Sequence, residues 1–148
     1  MRRAFSVIEL LIVVGIATMV FSIVLFAFVN TKKDRSVKES ADRLVSLLEE
    51  ARSKTLAGEQ NSSFGVRIAQ NRLTLFVGTS YAEQVSNKVV VLPSGVVATS
   101  TIIGGGSDIV FERLSGSVSA YGTTTISLSD NSGKNLSVTI SAAGIVAY

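Results

Sequence analysis

The chain falls into three stretches by its pattern of apolar and polar positions. From Leu10 to Val29 twenty consecutive residues carry no charge, and Glu9 stands at their head. At about 1.5 Å of rise per residue they make a helix of roughly 30 Å, enough to cross a bilayer. The pattern then changes with no Gly or Pro break. Val37, Ala41, Leu44, Val45, Leu48, Ala51 and Thr55 share one face at a 3.6 period, and Glu39, Asp42, Arg43, Ser46, Glu49, Glu50 and Lys54 take the other. Glu39 with Arg43, and Glu50 with Lys54, are spaced i,i+4 with the acid first, each contributing a few tenths of a kcal/mol. Leu56-Ala57-Gly58 supplies a C-cap, so the pattern predicts one continuous helix of about 50 residues.

From Asn61 onward the chain is rich in Val, Ile, Thr and Ser and punctuated by Gly, which reads as strands. Phe64–Ile68 and Leu73–Val77 alternate around Gln70-Asn71, a hairpin. Lys88–Leu92 is closed by Pro93-Ser94-Gly95, and Ile109–Leu114 follows Gly104-Gly105-Gly106. Thr124–Leu128 and Leu136–Ile140 flank Asp130-Asn131-Ser132-Gly133, and Ile145–Tyr148 follows Gly144. The expected class is α+β: a long N-terminal helix packed against a mostly antiparallel β-sheet domain that buries its apolar stripe.

Glu9 is the feature that carries function. A carboxylate in a membrane segment costs about 2.5–3.5 kcal/mol at the bilayer centre and less near the interface, so it must gain a partner. A cut after Ala4 would place a new amine on Phe5, four residues from Glu9.

Met1-Arg2-Arg3-Ala4 followed by Phe5-Ser6-Val7-Ile8-Glu9-Leu10-Leu11 resembles the leader and helix start of type IV pilins and the pseudopilins of type II secretion. The match covers about 25 residues. Departures are Ala4 where Gly is usual, Ser6-Val7 for Thr-Leu, and Phe26 where a Pro usually kinks the helix. The resemblance implies cleavage after Ala4 by a prepilin peptidase, N-methylation of Phe5, and a salt bridge from Glu9 to the N-terminus of a neighbouring subunit. It also implies four segments: a leader over 1–4, a transmembrane and assembly helix over 5–29, its amphipathic continuation over 30–58, and a β-rich pilin domain over 59–148. Implied partners are other pilin or pseudopilin subunits, the peptidase and methyltransferase, an inner-membrane assembly platform, and membrane lipid before assembly. No cofactor is implied.

Orientation follows from the resemblance rather than from charge. Arg2 and Arg3 precede the span while Lys32, Lys33 and Arg35 follow it, so counting positive charges does not place the N-terminus inside. The family's peptidase works at the cytoplasmic face, which implies a single-pass inner-membrane protein with its domain on the outer side. The Lys32–Arg35 cluster then reads as a solvated collar near lipid headgroups.

Leu47-Leu48-Glu49-Glu50-Ala51-Arg52-Ser53-Lys54-Thr55 resembles the helix stretch of H-type minor pseudopilins and FimT-like minor pilins, as does the ending Ser137–Tyr148 around Gly144. Some FimT-like proteins are thought to bind DNA through C-terminal arginines. Ala142–Tyr148 carries no basic residue, so nucleic acid is disfavoured as a partner. The charge balance agrees: the formal +3 falls to twelve basic against eleven acidic residues once Arg2 and Arg3 are removed. Arg67 and Arg72 read as solvated strand-edge charges.

With no His and no Cys, His- or Cys-based metal sites, His-based triads and disulfides are excluded. Gly104-Gly105-Gly106 lacks the Lys-Ser/Thr of a phosphate loop. Asp108 and Glu112 are near in sequence, but spacing along a strand accounts for them. Asn61-Ser62-Ser63 and Asn135-Leu136-Ser137 fit a glycosylation acceptor by a pattern that recurs by chance, and Tyr81 and Tyr121 read as part-buried sheet positions. The sequence therefore points to a structural, non-enzymatic subunit, minor or initiating, of a pilus or pseudopilus. The alternatives are a filament-displayed binding module for DNA, a surface or a secreted substrate, and a major pilin.

Overall fold

The computed structural model describes residues 6–104, 106–130 and 133–148, and of 26–31 the backbone alone. Ala4, Phe5 and the rest of the leader, Gly105 of the glycine run, and Asn131-Ser132 of the last hairpin turn lie outside the described residues. One helix, α1, runs Val7–Leu56 through Phe26. Among the described residues, eight strands follow a single 3-10 turn at Glu59–Asn61: β1 Phe64–Ala69, β2 Arg72–Val77, β3 Lys88–Val91, β4 Val96–Ile102, β5 Asp108–Val110, β6 Gly122–Leu128, β7 Asn135–Ile140 and β8 Val146–Ala147. The chain divides into two compact units, Met1–Arg35 and Ser36–Tyr148.

In the second unit the strands form two four-stranded sheets rather than the one expected, ordered β3-β2-β1-β5 and β4-β6-β7-β8, with every pairing antiparallel. The hairpin around Gln70-Asn71 has the expected alternation, Ile68 facing Leu73 and Phe64 facing Val77. β4, Val96–Ile102, has no counterpart among the strands expected from the sequence. Ile109–Leu114 shortens to β5 plus an isolated bridge from Phe111 to Val118, because Glu112–Ser117 turns back on itself.

The helix supplies one wall of the core. Val37, Ala41, Leu44, Leu47, Leu48 and Ala51 are buried, while Val45, expected on that face, is only half-buried. They meet Phe64, Val66, Ile68, Leu73 and Leu75 of the first sheet, and the core continues into Ile126, Leu128, Val138 and Ile140 of the second. Each Val, Leu, Ile or Phe among them contributes about 1.5–3 kcal/mol on burial, against a few tenths for each ion pair on the outer face. Burial therefore holds this half of the helix in place.

The buried hydroxyls on this face are satisfied locally. Ser40 donates to the Ser36 carbonyl at 2.7 Å. Thr55 donates to the Ala51 carbonyl at 2.8 Å and accepts the Phe64 N–H at 3.0 Å, fastening the last helical turn to the start of β1. Gly58, at φ 67, takes the left-handed conformation that ends the helix. Of the two expected i,i+4 pairs, Arg43–Glu39 closes at 2.7 Å. Lys54 stands 4.0 Å from Glu50 and 3.1 Å from Glu59, while Glu50 takes Lys88 at 2.7 Å.

Candidate functional site

Two regions carry the residues that the sequence singles out. In the first unit Glu9 lies in the first turn of α1, where the helix dipole favours an acid. The stretch Val7–Leu25 is long and apolar enough to cross a membrane, and Glu9 is its sole charged residue. Its large apolar side chains are all exposed, from Val7 at 77% to Leu25 at 49%. An apolar surface of that extent is covered by lipid or by other chains. Thr18 donates to the Gly15 carbonyl at 2.9 Å and Ser22 to the Thr18 carbonyl at 2.8 Å, so these hydroxyls need no outside partner. Among the described residues Glu9 has no such internal partner. Ala4 and Phe5, expected beside it, fall outside the described residues.

The second region joins the helix motif to the C-terminal turn. Arg52, from the Ala51-Arg52-Ser53 stretch, reaches the Ala143 carbonyl at 3.4 Å. Its Nε is buried without a hydrogen-bond partner among the described residues. Gly116 and Gly144 pack beside it: a Cβ on Gly144 would lie 2.1 Å from the Gly116 carbonyl oxygen and 3.3 Å from Arg52 Nε. The two weak motifs are thus one packing unit, in which an arginine stem lies against two loops that touch through bare backbone. Val118 N–H donates to the Ala142 carbonyl at 3.0 Å and holds the same loops together.

Further toward the N-terminus of the same helix, Tyr148 donates its hydroxyl proton to Asp42 Oδ1 at 2.7 Å, across 106 residues of sequence. No sequence pattern signals this contact. The hydrogen bond to Asp42, and then the charge of that carboxylate, raises the Tyr148 hydroxyl above the ordinary tyrosine value. A raised folded-state value means that the contact is intact below about pH 10 and is lost as pH rises through the folded value. Asp42→Asn should bring Tyr148 ionisation back down, read from its ring carbon shift in an alkaline NMR titration. An unmoved Tyr148 would remove Asp42 as the cause.

Two expectations are corrected. Arg67 is not a solvated edge charge, because β1 lies inside its sheet, between β2 and β5. Its guanidinium sits 4.2 Å from the Tyr81 ring centroid and 3.3 Å from Asp108. Tyr81 is on a loop rather than a strand, edge-on to Phe76 at 5.6 Å. Asp108 and Glu112 do not face one another: Asp108 holds Arg67, and Glu112 accepts from the Ser117 hydroxyl at 2.9 Å. Of the two acceptor patterns, Asn61 accepts from Arg113 at 2.6 Å, and Asn135 is exposed at the start of β7. Among the described residues no group of three or more acidic side chains could hold a metal.

No family model and no curated protein sequence matches the chain. Its fold is similar to two solved structures. The type IV minor pilin FimU of Pseudomonas aeruginosa strain PAO1 superposes with a TM-score of 0.58 at 16% identity, over 76% of this chain and 87% of that one. The minor pseudopilin EpsH from the Type 2 Secretion System of Vibrio cholerae gives a TM-score of 0.56 at 18% identity, over 76% of this chain and 94% of that one. The architecture is therefore α+β and pilin-like: an N-terminal helix followed by an antiparallel sheet domain.

Proposed function

We propose that this chain is a structural subunit, minor or initiating, of a type IV pilus or a type II secretion pseudopilus. Val7–Leu25 carries the reading: an exposed apolar stretch with Glu9 as its one charge, in the same helix whose C-terminal part walls the core of a pilin-like domain. The mechanism is assembly. The apolar helix holds the protein in the inner membrane, with the domain on the outer side. Cleavage after Ala4 and methylation of Phe5 create the amine that Glu9 of a neighbouring subunit takes. The attraction at about 4 Å is near 4 kcal/mol for an effective dielectric of roughly 20, comparable to the cost of the carboxylate in lipid. Residues 5–29 then pack with like helices in the filament core, and 59–148 are displayed. In this reading the partners are other pilin or pseudopilin subunits, the prepilin peptidase and methyltransferase, and the assembly platform.

The test is quantitative mass spectrometry of filaments sheared from the native cell, reading abundance and the N-terminal peptide together. A trace amount beginning at methylated Phe5 is the expected result. Dominance in the filament would make this the major subunit. Processed protein confined to the envelope would assign it to a secretion pseudopilus. An intact Met1 in both fractions would overturn the reading of Glu9.

A further inference from the structure

The second sheet is built without charge. β4, β6, β7 and β8 hold no Asp, Glu, Lys or Arg, whereas β1, β2, β3 and β5 each hold one: Arg67, Arg72, Lys88 and Asp108. One face of the second sheet joins the core through Ile126, Leu128, Val138 and Ile140. On the other face the register sets hydroxyls in cross-strand rows, Thr99–Thr125–Ser137 and Thr101–Thr123–Thr139. Thr99, Thr101, Ser137 and Thr139 are exposed, and Thr123 and Thr125 are half-buried. Residues two apart on a strand recur at about 6.4–6.8 Å, and neighbouring strands at about 4.7–4.9 Å, so the hydroxyls form a regular array.

The array is pre-ordered and still has hydrogen bonds to give. The Thr123 and Thr139 hydroxyls lie 3.1 Å apart, and those of Thr125 and Ser137 3.2 Å. A hydroxyl offers one donor and two acceptor positions, so each bonded pair keeps one O–H and spare lone pairs. Among the described residues the Thr99 and Thr101 hydroxyls have no partner. Branching at Cβ holds each threonine stiffly. A water-facing surface ordinarily carries charges that keep it from associating, and this face has none.

The chemistry of a fitting ligand follows by elimination. A charged ligand would lose its water with no counter-charge in return, and an apolar one would leave the hydroxyls unsatisfied. A neutral chain of sugar units donates and accepts at once, and its C–H groups meet the threonine methyls. Repeated weak contacts along one chain reinforce each other through effective concentration. We propose that the outward face of the second sheet binds a neutral, extended polysaccharide of the cellulose type. The inference stands apart from the proposed filament role, so either can fail without the other.

The experiment mixes the full-length chain in lipid nanodiscs with microcrystalline cellulose, against empty nanodiscs, and measures bound protein after sedimentation. Adsorption should persist at molar salt, because no charge carries it. Soluble cellohexaose should move the methyl signals of Thr99, Thr101, Thr123, Thr125 and Thr139 in NMR spectra. Thr123→Val combined with Thr125→Val keeps the branched shape, removes two hydroxyls, and should weaken adsorption about tenfold or more. Arg72→Ala, in the first sheet, should adsorb like the wild type. The threonine signals of the wild-type chain decide the matter even where the double variant folds poorly. No adsorption, adsorption lost at molar salt, tighter binding to acidic alginate, or cellohexaose shifts confined to residues off this face would overturn the proposal.

Discussion

Glu9→Ala is expected to be processed normally yet to reach filaments at a level reduced on the order of a hundredfold or more. Two effects push the same way. In lipid the substitution removes a carboxylate that costs up to about 2.5–3.5 kcal/mol, so the membrane-resident form becomes more comfortable. In the filament it removes an attraction near 4 kcal/mol at an effective dielectric of roughly 20. At about 1.4 kcal/mol per tenfold, either effect alone shifts the partition strongly toward the membrane. Processing should survive, because the proposed cut between Ala4 and Phe5 lies ahead of Glu9 rather than at it. The N-terminal peptide and the filament abundance, measured in one experiment, separate the two steps. Wild-type abundance of the variant in filaments would sink the assignment of Glu9 to subunit register.

Gly144→Ala is expected to destabilise the domain by about 2–5 kcal/mol, lowering its melting temperature by roughly 10 °C or more. Gly144 sits at φ 72, where a side chain costs about 1–2 kcal/mol. Its added Cβ would also meet the Gly116 carbonyl oxygen at 2.1 Å. That neighbour is backbone, so relief requires moving the loop that Val118 and Arg52 hold in place. Gly58→Ala is the matched control: φ is 67 and nothing lies within 4 Å of the new Cβ, so only the backbone cost remains. Thermal unfolding of both variants, followed by circular dichroism in detergent, should show a clear gap between them. Equal losses would mean that the Gly116–Gly144 approach relaxes at no cost.

The parts of this fold that were legible in the sequence are those encoded over short distances. The helix follows from an unbroken apolar run joined to a 3.6-residue stripe, and its end follows from Gly58. The hairpin around Gln70-Asn71 is likewise local. β4 was not legible because Val96–Ile102 passes through Ala98-Thr99-Ser100-Thr101, with only short apolar alternation between turn-forming stretches. The division into two sheets and the interior place of Arg67 depend on which strands become neighbours, and no window of sequence holds that information. The candidate site divides in the same way. Glu9 stood out because its cost in an apolar run is a local fact. The join of Arg52 to Gly144 showed only as two separate weak motifs, and Tyr148 against Asp42 left no signal at all.

That last contact bears on the order of events in folding. Thr55 with Phe64 and Glu50 with Lys88 tie the helix to the first sheet across only 9 and 38 residues, so these contacts close short loops. Arg52 with Ala143 and Asp42 with Tyr148 close loops of 91 and 106 residues. Closing loops of that size carries the larger entropic toll and comes late. Until those contacts form, the C-terminal residues Ala143 and Tyr148 are not tied back to α1. A chain in which the C-terminal turn has yet to close would carry a finished helix and a loose end.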